Sequence, residues 1–296
     1  MRELVVISGK GGTGKTSIVA SFAALAQNKV LADCDVDAAD LHLVLDPKIL
    51  SRDIFVGGRD TRILPGHCTA CGKCEEICRF DAIFFDGPGN GKVEKTFRID
   101  PIACEGCGVC AYFCVEKAIE SKDAQNGEWY ISETRHGPMV HAKLFAAQEN
   151  SGKLVSLVRS EAKRVAKEQG LGLLIVDGSP GIGCPVIASV TGADFVLIVT
   201  EPTLSGKHDM ERVLELTRHF DVGAAVCVNK FDLNPEMTEM IEASAERAGA
   251  KPLGRIRYDS AVTRAQVAGK SVVEFESGGV ARDIETLWGA VSRELS

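Results

Sequence analysis

Leu4-Val5-Val6-Ile7-Ser8-Gly9-Lys10-Gly11-Gly12-Thr13-Gly14-Lys15-Thr16, near the start of the 296-residue chain, is the stretch whose reading decides the fold. Four apolar residues in a row read as a strand buried on both faces. Gly9 to Thr16 then fits G-x4-G-K-[ST], a phosphate cradle when it follows a strand and opens a helix. Gly11, Gly12 and Gly14 let the loop's backbone N–H groups, that of Thr13 included, face phosphate oxygens. The helix N-terminus behind them favours negative charge. Lys15 is placed to reach β- and γ-oxygens of a nucleotide, and Thr16 to hold Mg2+.

Working outward, apolar runs recur at 30–33, 173–177, 195–200 and 224–229. Helical patterns fall at 16–27, 152–169, 210–220 and 235–248. Short strands alternating with helices predict a doubly wound, mostly parallel α/β domain. A last helix near 280–295 sets Ile284, Leu287, Trp288, Val291 and Leu295 on one face. Its other side mixes Arg282, Asp283, Glu285, Arg293 and Glu294, unlike the Lys/Arg excess of membrane-lying helices. Packing onto the sheet is therefore expected, and membrane binding is not.

The length suggests about two domains. Hydrophobic residues at 45% and charged residues at 25% match ordinary globular chains and exclude disordered and fibrous classes. No apolar run approaches the roughly 18 to 20 residues that span a bilayer. The start shows no signal-peptide layout, so a cytoplasmic location is expected. Net charge is −7, from 34 Lys+Arg against 41 Asp+Glu, which speaks against a nucleic-acid groove.

Eight of the eleven cysteines lie between Cys68 and Cys114. With thiols kept reduced, such density reads as metal ligation before disulfides. Cys68, Cys71, Cys74 and Cys78 repeat the spacing of Cys104, Cys107, Cys110 and Cys114, and each run is followed four residues later by Ala-Ile. The shared pattern is C-x2-C-G-x-C-x3-C-x3-A-I. A C-x2-C-x2-C-x3-C run gives three thiolates to one 4Fe–4S cluster and its fourth to the other. The expected sets are Cys68, Cys71, Cys74 with Cys114, and Cys104, Cys107, Cys110 with Cys78. Structural zinc is the alternative, though zinc sites pair dyads rather than triplets with a distant fourth ligand. Gly87-Pro88-Gly89-Asn90-Gly91, between the copies, is a turn cluster. Residues 60–124 resemble a small α+β bacterial two-cluster ferredoxin, inserted between a first part, 1–51, and a second, 131–296. The proline that follows the fourth cysteine in that family is Arg79 in one copy and Val115 in the other.

Lys10 gives the phosphate loop the form K-G-G-x-G-K-T. The two flanking parts thereby resemble the deviant phosphate-loop ATPases that include ParA, MinD and the nitrogenase iron protein. The resemblance implies a homodimer that closes on ATP, with Lys10 reaching the nucleotide of the other subunit. Asp33-Cys34-Asp35 resembles the family's first switch. There Asp35 would position the attacking water and Asp40 would respond to the γ-phosphate, unless Asp37 and Asp40 are simply helix N-terminal carboxylates. Leu174 to Gly181 resembles the second switch, with Asp177 holding Mg2+ through water and Gly181 sensing the γ-phosphate. Asn229-Lys230-Phe231-Asp232 fits a guanine-reading pattern, but relatives use an asparagine here for adenine, so ATP is expected and GTP is the alternative.

Cys184 matches a cluster-ligating position of the nitrogenase iron protein. The upstream cysteine that such a shared site needs is missing, residues 149–153 being Glu149-Asn150-Ser151-Gly152-Lys153. The insert falls between the two switches, so nucleotide state and clusters are expected to communicate. Three roles compete. One is ATP-gated electron transfer to a redox partner, and one is assembly or delivery of a metal cluster to an acceptor protein. The third is a MinD-like positioning or regulatory ATPase with a redox-sensing insert.

Overall fold

Each apolar run becomes a strand of one sheet, as continuous burial requires. In a computed structural model that describes residues 1–145 and 150–296, the chain divides into two units. The chain begins with β1 (Arg2–Ser8), α1 (Lys15–Leu25), β2 (Lys29–Asp33), α2 (Leu41–Leu45) and β3 (Lys48–Ile63). Next come α3 (Lys73–Ile77), β4 (Ile83–Gly87), β5 (Thr96–Ile99), α4 (Val109–Phe113), β6 (Ile119–Thr134) and β7 (Gly137–Leu144). Then follow α5 (Ser151–Gln169), β8 (Leu173–Pro180), α6 (Cys184–Val190), β9 (Phe195–Thr200), α7 (Leu204–His219) and β10 (Gly223–Asn229). The chain closes with α8 (Pro235–Arg247), β11 (Lys251–Ile256), α9 (Ala261–Val267), α10 (Val272–Phe275) and α11 (Gly279–Leu295).

The first unit comprises Met1–Asp53, Glu128–Leu144 and Ser151–Ser296. Its strands run β11-β10-β9-β1-β8-β2-β7, parallel throughout, with parts of β6 and β3 beyond β7. β1 is central, Val5 lying opposite both Val176 of β8 and Val196 of β9. Leu4 and Val6 point into a core shared with α1 and α11, while Val5 and Ile7, on the other face, are equally buried. Both faces are therefore covered, as a parallel sheet demands. In α11, Ile284, Leu287, Val291 and Leu295 are buried and Trp288 packs 4.9 Å from the Phe22 ring, so the predicted face lies on the core. No helix among the described residues is long and apolar enough to cross a membrane.

Two readings need correction. The helix expected from 210 starts at Leu204, because Thr203 accepts the Gly206 N–H at 2.9 Å and caps it. Gly206 looks like a breaker, but a Cβ there would lie 2.3 Å from the Glu201 carbonyl oxygen. β3, β6, β7 and β11 carry no apolar run of the kind that marks the other strands of the sheet. β3 is mostly exposed and carries no continuous apolar run.

The second unit comprises Ile54–Gly127 and Phe145–Asn150. The cysteine repeat is also a backbone repeat at an offset of 36 residues. Ala70 and Gly106 share a left-handed φ of 57° and 60°, as do Gly72 and Gly108 at 79° and 72°. Non-glycine residues seldom adopt this conformation, so Ala70 marks a turn imposed by its surroundings. α3 and α4 occupy equivalent places, one after each glycine. Asn90 donates to the Pro65 carbonyl at 2.7 Å and the Cys68 carbonyl at 2.8 Å, so the Gly-rich turn holds the first cysteine loop.

Candidate functional site

The loop 9–14 leaves the carboxyl end of β1, between β8 and β9, where open parallel sheets place ligands. Gly12 and Gly14 take left-handed φ of 80° and 88°. Among the described residues nothing beyond the chain neighbours lies within 4 Å of a Cβ built on Gly11 or Gly12, whereas one on Gly14 would meet Asn229 Nδ2 at 2.4 Å. The glycines thus serve two ends, open space for phosphate and close backing from β10. Asn229 Nδ2 donates to the Thr13 carbonyl at 2.7 Å, and Lys230 Nζ to that of Gly12 at 3.2 Å.

Lys15, the first residue of α1, donates to Asp177 Oδ1, lies 3.6 Å from Asp35 Oδ2 and 3.4 Å from Thr16 Oγ1. Burial alone would lower the Lys15 pKa, but Asp177, Asp35 and Asp33 outweigh it and hold the ammonium above its ordinary value. Asp33, wholly buried, accepts from the Asp35 and Leu41 N–H groups, each at 3.3 Å. Burial pushes Asp33 well up, and the Asp177 charge adds to the shift. Asp35 is pushed up to about 6, first by burial and then, against the pull of Lys15, by Asp177 and Asp37. Three carboxylates therefore share one cation. Asp177 Oδ2 and Thr13 Oγ1 are buried with no hydrogen-bond partner among the described residues. Excess buried acid with an orphaned oxygen suits a further cation.

The remaining sequence-predicted groups divide. The Gly181 N–H donates to the Ser8 carbonyl at 2.8 Å, so it is engaged at the end of β1. Asp40 precedes α2 and, with Asp37, His42, Tyr130 and His141, lines a separate cavity of about 410 Å3. Asp232 Oδ1 accepts the Tyr258 N–H at 2.7 Å. Lys10 pairs with Glu201 at 2.5 Å and donates to Ser205 Oγ at 3.1 Å. Glu201, which sequence reasoning missed, also binds Lys230 at 3.2 Å. Its position could have revealed it, since it directly follows β9, the strand beside β1.

In the second unit, Cys68, Cys71, Cys74 and Cys114 line one cavity of about 390 Å3. Cys78, Cys104, Cys107 and Cys110 line another of about 20 Å3, room for about one water. Burial raises the Cys74 thiol to about 11 and pushes Cys104 and Cys110 up. Among the described residues no three His, Cys, Asp or Glu side chains form a site for a single metal ion. Cys184 is an exposed residue at the start of α6, close to Gly152, and Glu149 lies outside the described residues.

A strand-loop-helix phosphate cradle with a buried lysine and facing carboxylates defines a P-loop nucleotide-binding protein. The CobQ/CobB/MinD/ParA nucleotide binding domain model matches residues 4–272, and the chain belongs to that family. It is 37% identical over 242 residues to the uncharacterised protein MJ0578 of Methanocaldococcus jannaschii, covering 78% of this chain and 79% of that protein. In fold it is similar to the cell division ATPase MinD of Pyrococcus furiosus, with a TM-score of 0.59, 16% identity and coverage of 99% and 98%. The septum site-determining protein MinD of Pyrococcus horikoshii, solved with Mg-ADP, gives the same TM-score at 15% identity, covering 99% and 96%. No ferredoxin and no nitrogenase iron protein is among these relatives, so the likeness supported is to the MinD/ParA ATPases.

Proposed function

We propose that the chain is a MinD-like regulatory ATPase that switches as a homodimer with nucleotide, and that its cysteine-rich unit senses redox state through iron–sulfur ligation. The carrying observation is Lys15 set among Asp33, Asp35 and Asp177 beneath an open glycine loop. The loop amides and Lys15 bind the phosphates, and Thr16 and Asp177 would hold Mg2+, which would supply neutralisation of the developing charge. Asp35 orients a water whose oxygen attacks the γ-phosphorus as the bond to ADP breaks. Gly181 must leave Ser8 to meet the γ-phosphate, which makes the second switch nucleotide-sensitive. Asp232 Oδ1 already accepts the Tyr258 N–H, so a guanine would have to share that oxygen, and this supports ATP.

The first cysteine set fits a 4Fe–4S cluster, with four thiols around about 390 Å3. When bound there, such a cluster supplies one-electron chemistry. The second set has the donors but not the room, and no step is assigned to it.

A second reading, electron transfer or cluster delivery to an acceptor, is favoured by one observation. Cys71 is exposed at the first cavity, Val115 of the same lining stands 86% exposed, and Tyr112, two residues before Cys114, stands 84% exposed. ATP hydrolysis by oxidised and by reduced protein, in anaerobic buffer without an acceptor, separates the readings. The regulatory role predicts a rate that changes with redox state while iron content stays constant. A rate indifferent to redox state, with iron or electrons passing to an added acceptor, supports the second reading.

A further inference from the structure

Glu201 holds two lysines, and both bear on the phosphate loop. Lys10 belongs to the loop, and Lys230 donates to the Gly12 carbonyl within it. Ser205, in the first turn of α7, accepts a second hydrogen bond from Lys10. A Cβ on Gly9 would lie 2.3 Å from Asp209 Cβ, so α7 forms a close bed for the loop's first half. Burial would raise the Glu201 pKa, but the bonds from Lys10 and Lys230 hold its carboxyl below the usual range. The acid stays ionised and the clasp persists at neutral pH.

A Lys10 ammonium held 2.5 Å from Glu201 and bonded to Ser205 has two of its three donors committed within its own protomer. We propose that Glu201 is a positioning residue that parks Lys10 within its own protomer and so sets the ATP concentration at which two copies close. This rests on the reading of Lys10 as a group that acts across the dimer. The second lysine gives the clasp its character. Stripping one partner from a half-buried ion pair ordinarily leaves an uncompensated charge. Here Lys230 stays on Glu201 after Lys10 departs, and still ties the loop through Gly12. Release is therefore inexpensive, and the γ-phosphate of a second copy, a stronger anion than one shared carboxylate, can draw Lys10 away.

The test uses the full chain with Mg-ATP or Mg-ADP, following dimer formation by light scattering and ADP binding by titration. Glu201→Gln keeps the shape of the side chain and removes its charge. It should lower the ATP concentration for half-maximal dimerisation about tenfold, a change of about 1.4 kcal/mol, with ADP affinity kept within about twofold. Ser205→Ala should lower it about two- to threefold, the effect of one solvent-exposed hydrogen bond at the low end of the usual range. Lys10→Ala combined with Glu201→Gln should behave like Lys10→Ala alone. A Glu201→Gln half-point that is unchanged or raised, or that moves in step with weakened ADP binding, overturns the positioning role. Undiminished dimerisation of Lys10→Ala overturns the underlying trans reading, whatever Glu201→Gln does.

Discussion

In the first unit Leu4, Val6, Phe22, Leu31, Ile175 and Leu197 lie in one large core from which water is excluded. The second unit gathers Cys68, Ile83, Phe97, Ile99, Ala118 and Ile119, with Cys74, Cys78, Cys104, Cys110 and Cys114 packed around them. One region is built from aliphatic side chains that need no ligand to cohere. In the other, sulfur takes the place that leucine and valine fill in the first, and three of those thiols, with Cys71, surround a space of about 390 Å3. Burying apolar area stabilises a fold by about 25 cal/mol per Å2, so the smaller core leaves the second unit dependent on something else. The difference teaches that the units should fail under different insults.

Removing iron anaerobically with a chelator should have the largest effect. If ligation supplies the missing core, amides of β4 and β5 should lose up to about 10 kcal/mol of exchange protection, by analogy with structural metal sites. Those of β1 and β8 should keep theirs. Equal protection of β4 and β5 before and after chelation would break the comparison. Next in size, Lys15→Ala should weaken Mg-ATP binding by about a hundredfold, near 2.7 kcal/mol, with iron content unchanged. Nucleotide titration and iron analysis check it, and parallel loss of both would show that the units are not separable.

Acid should act on the first unit through His141. Burial first, then the neighbouring His42, lower its pKa to about 4, below the roughly 6.5 of the unfolded chain. A neutral buried histidine is protonated first in the unfolded state. Stability from this group is therefore complete above about pH 6.5 and declines as pH falls towards 4, by up to about 3 kcal/mol. His141→Gln should flatten that slope in thermal melts, and an unaltered slope would remove His141 from the account.

The same contrast explains what could be read from the residues alone. Strands such as 4–8 and 195–200 were legible because both faces are buried, leaving an unbroken apolar run. β3 was not, because its largely exposed residues carry no period that a core would impose. At the loop, Lys15 was legible from the G-x4-G-K-[ST] spacing, and Asp177 from the resemblance of Leu174 to Gly181 to the family's second switch. Glu201 was not, because its role depends on two lysines, Lys10 191 positions before it in the chain and Lys230 29 after. Gly181 and Asp232 were identified by pattern, yet each is engaged by a backbone partner, Ser8 and Tyr258, that no motif encodes. The cysteine sets were legible from the repeat, whereas the unequal spaces, about 390 and 20 Å3, depend on the surrounding side chains.

The most direct test of the proposed nucleotide switch and the proposed iron–sulfur ligation is paramagnetic resonance of the anaerobically purified, reduced protein before and after Mg-ATP. The account predicts an iron–sulfur signal that changes with Mg-ATP and returns to its starting form as ATP is consumed. A protein that binds Mg-ATP yet shows no such signal, or one whose signal ignores the nucleotide, would contradict it.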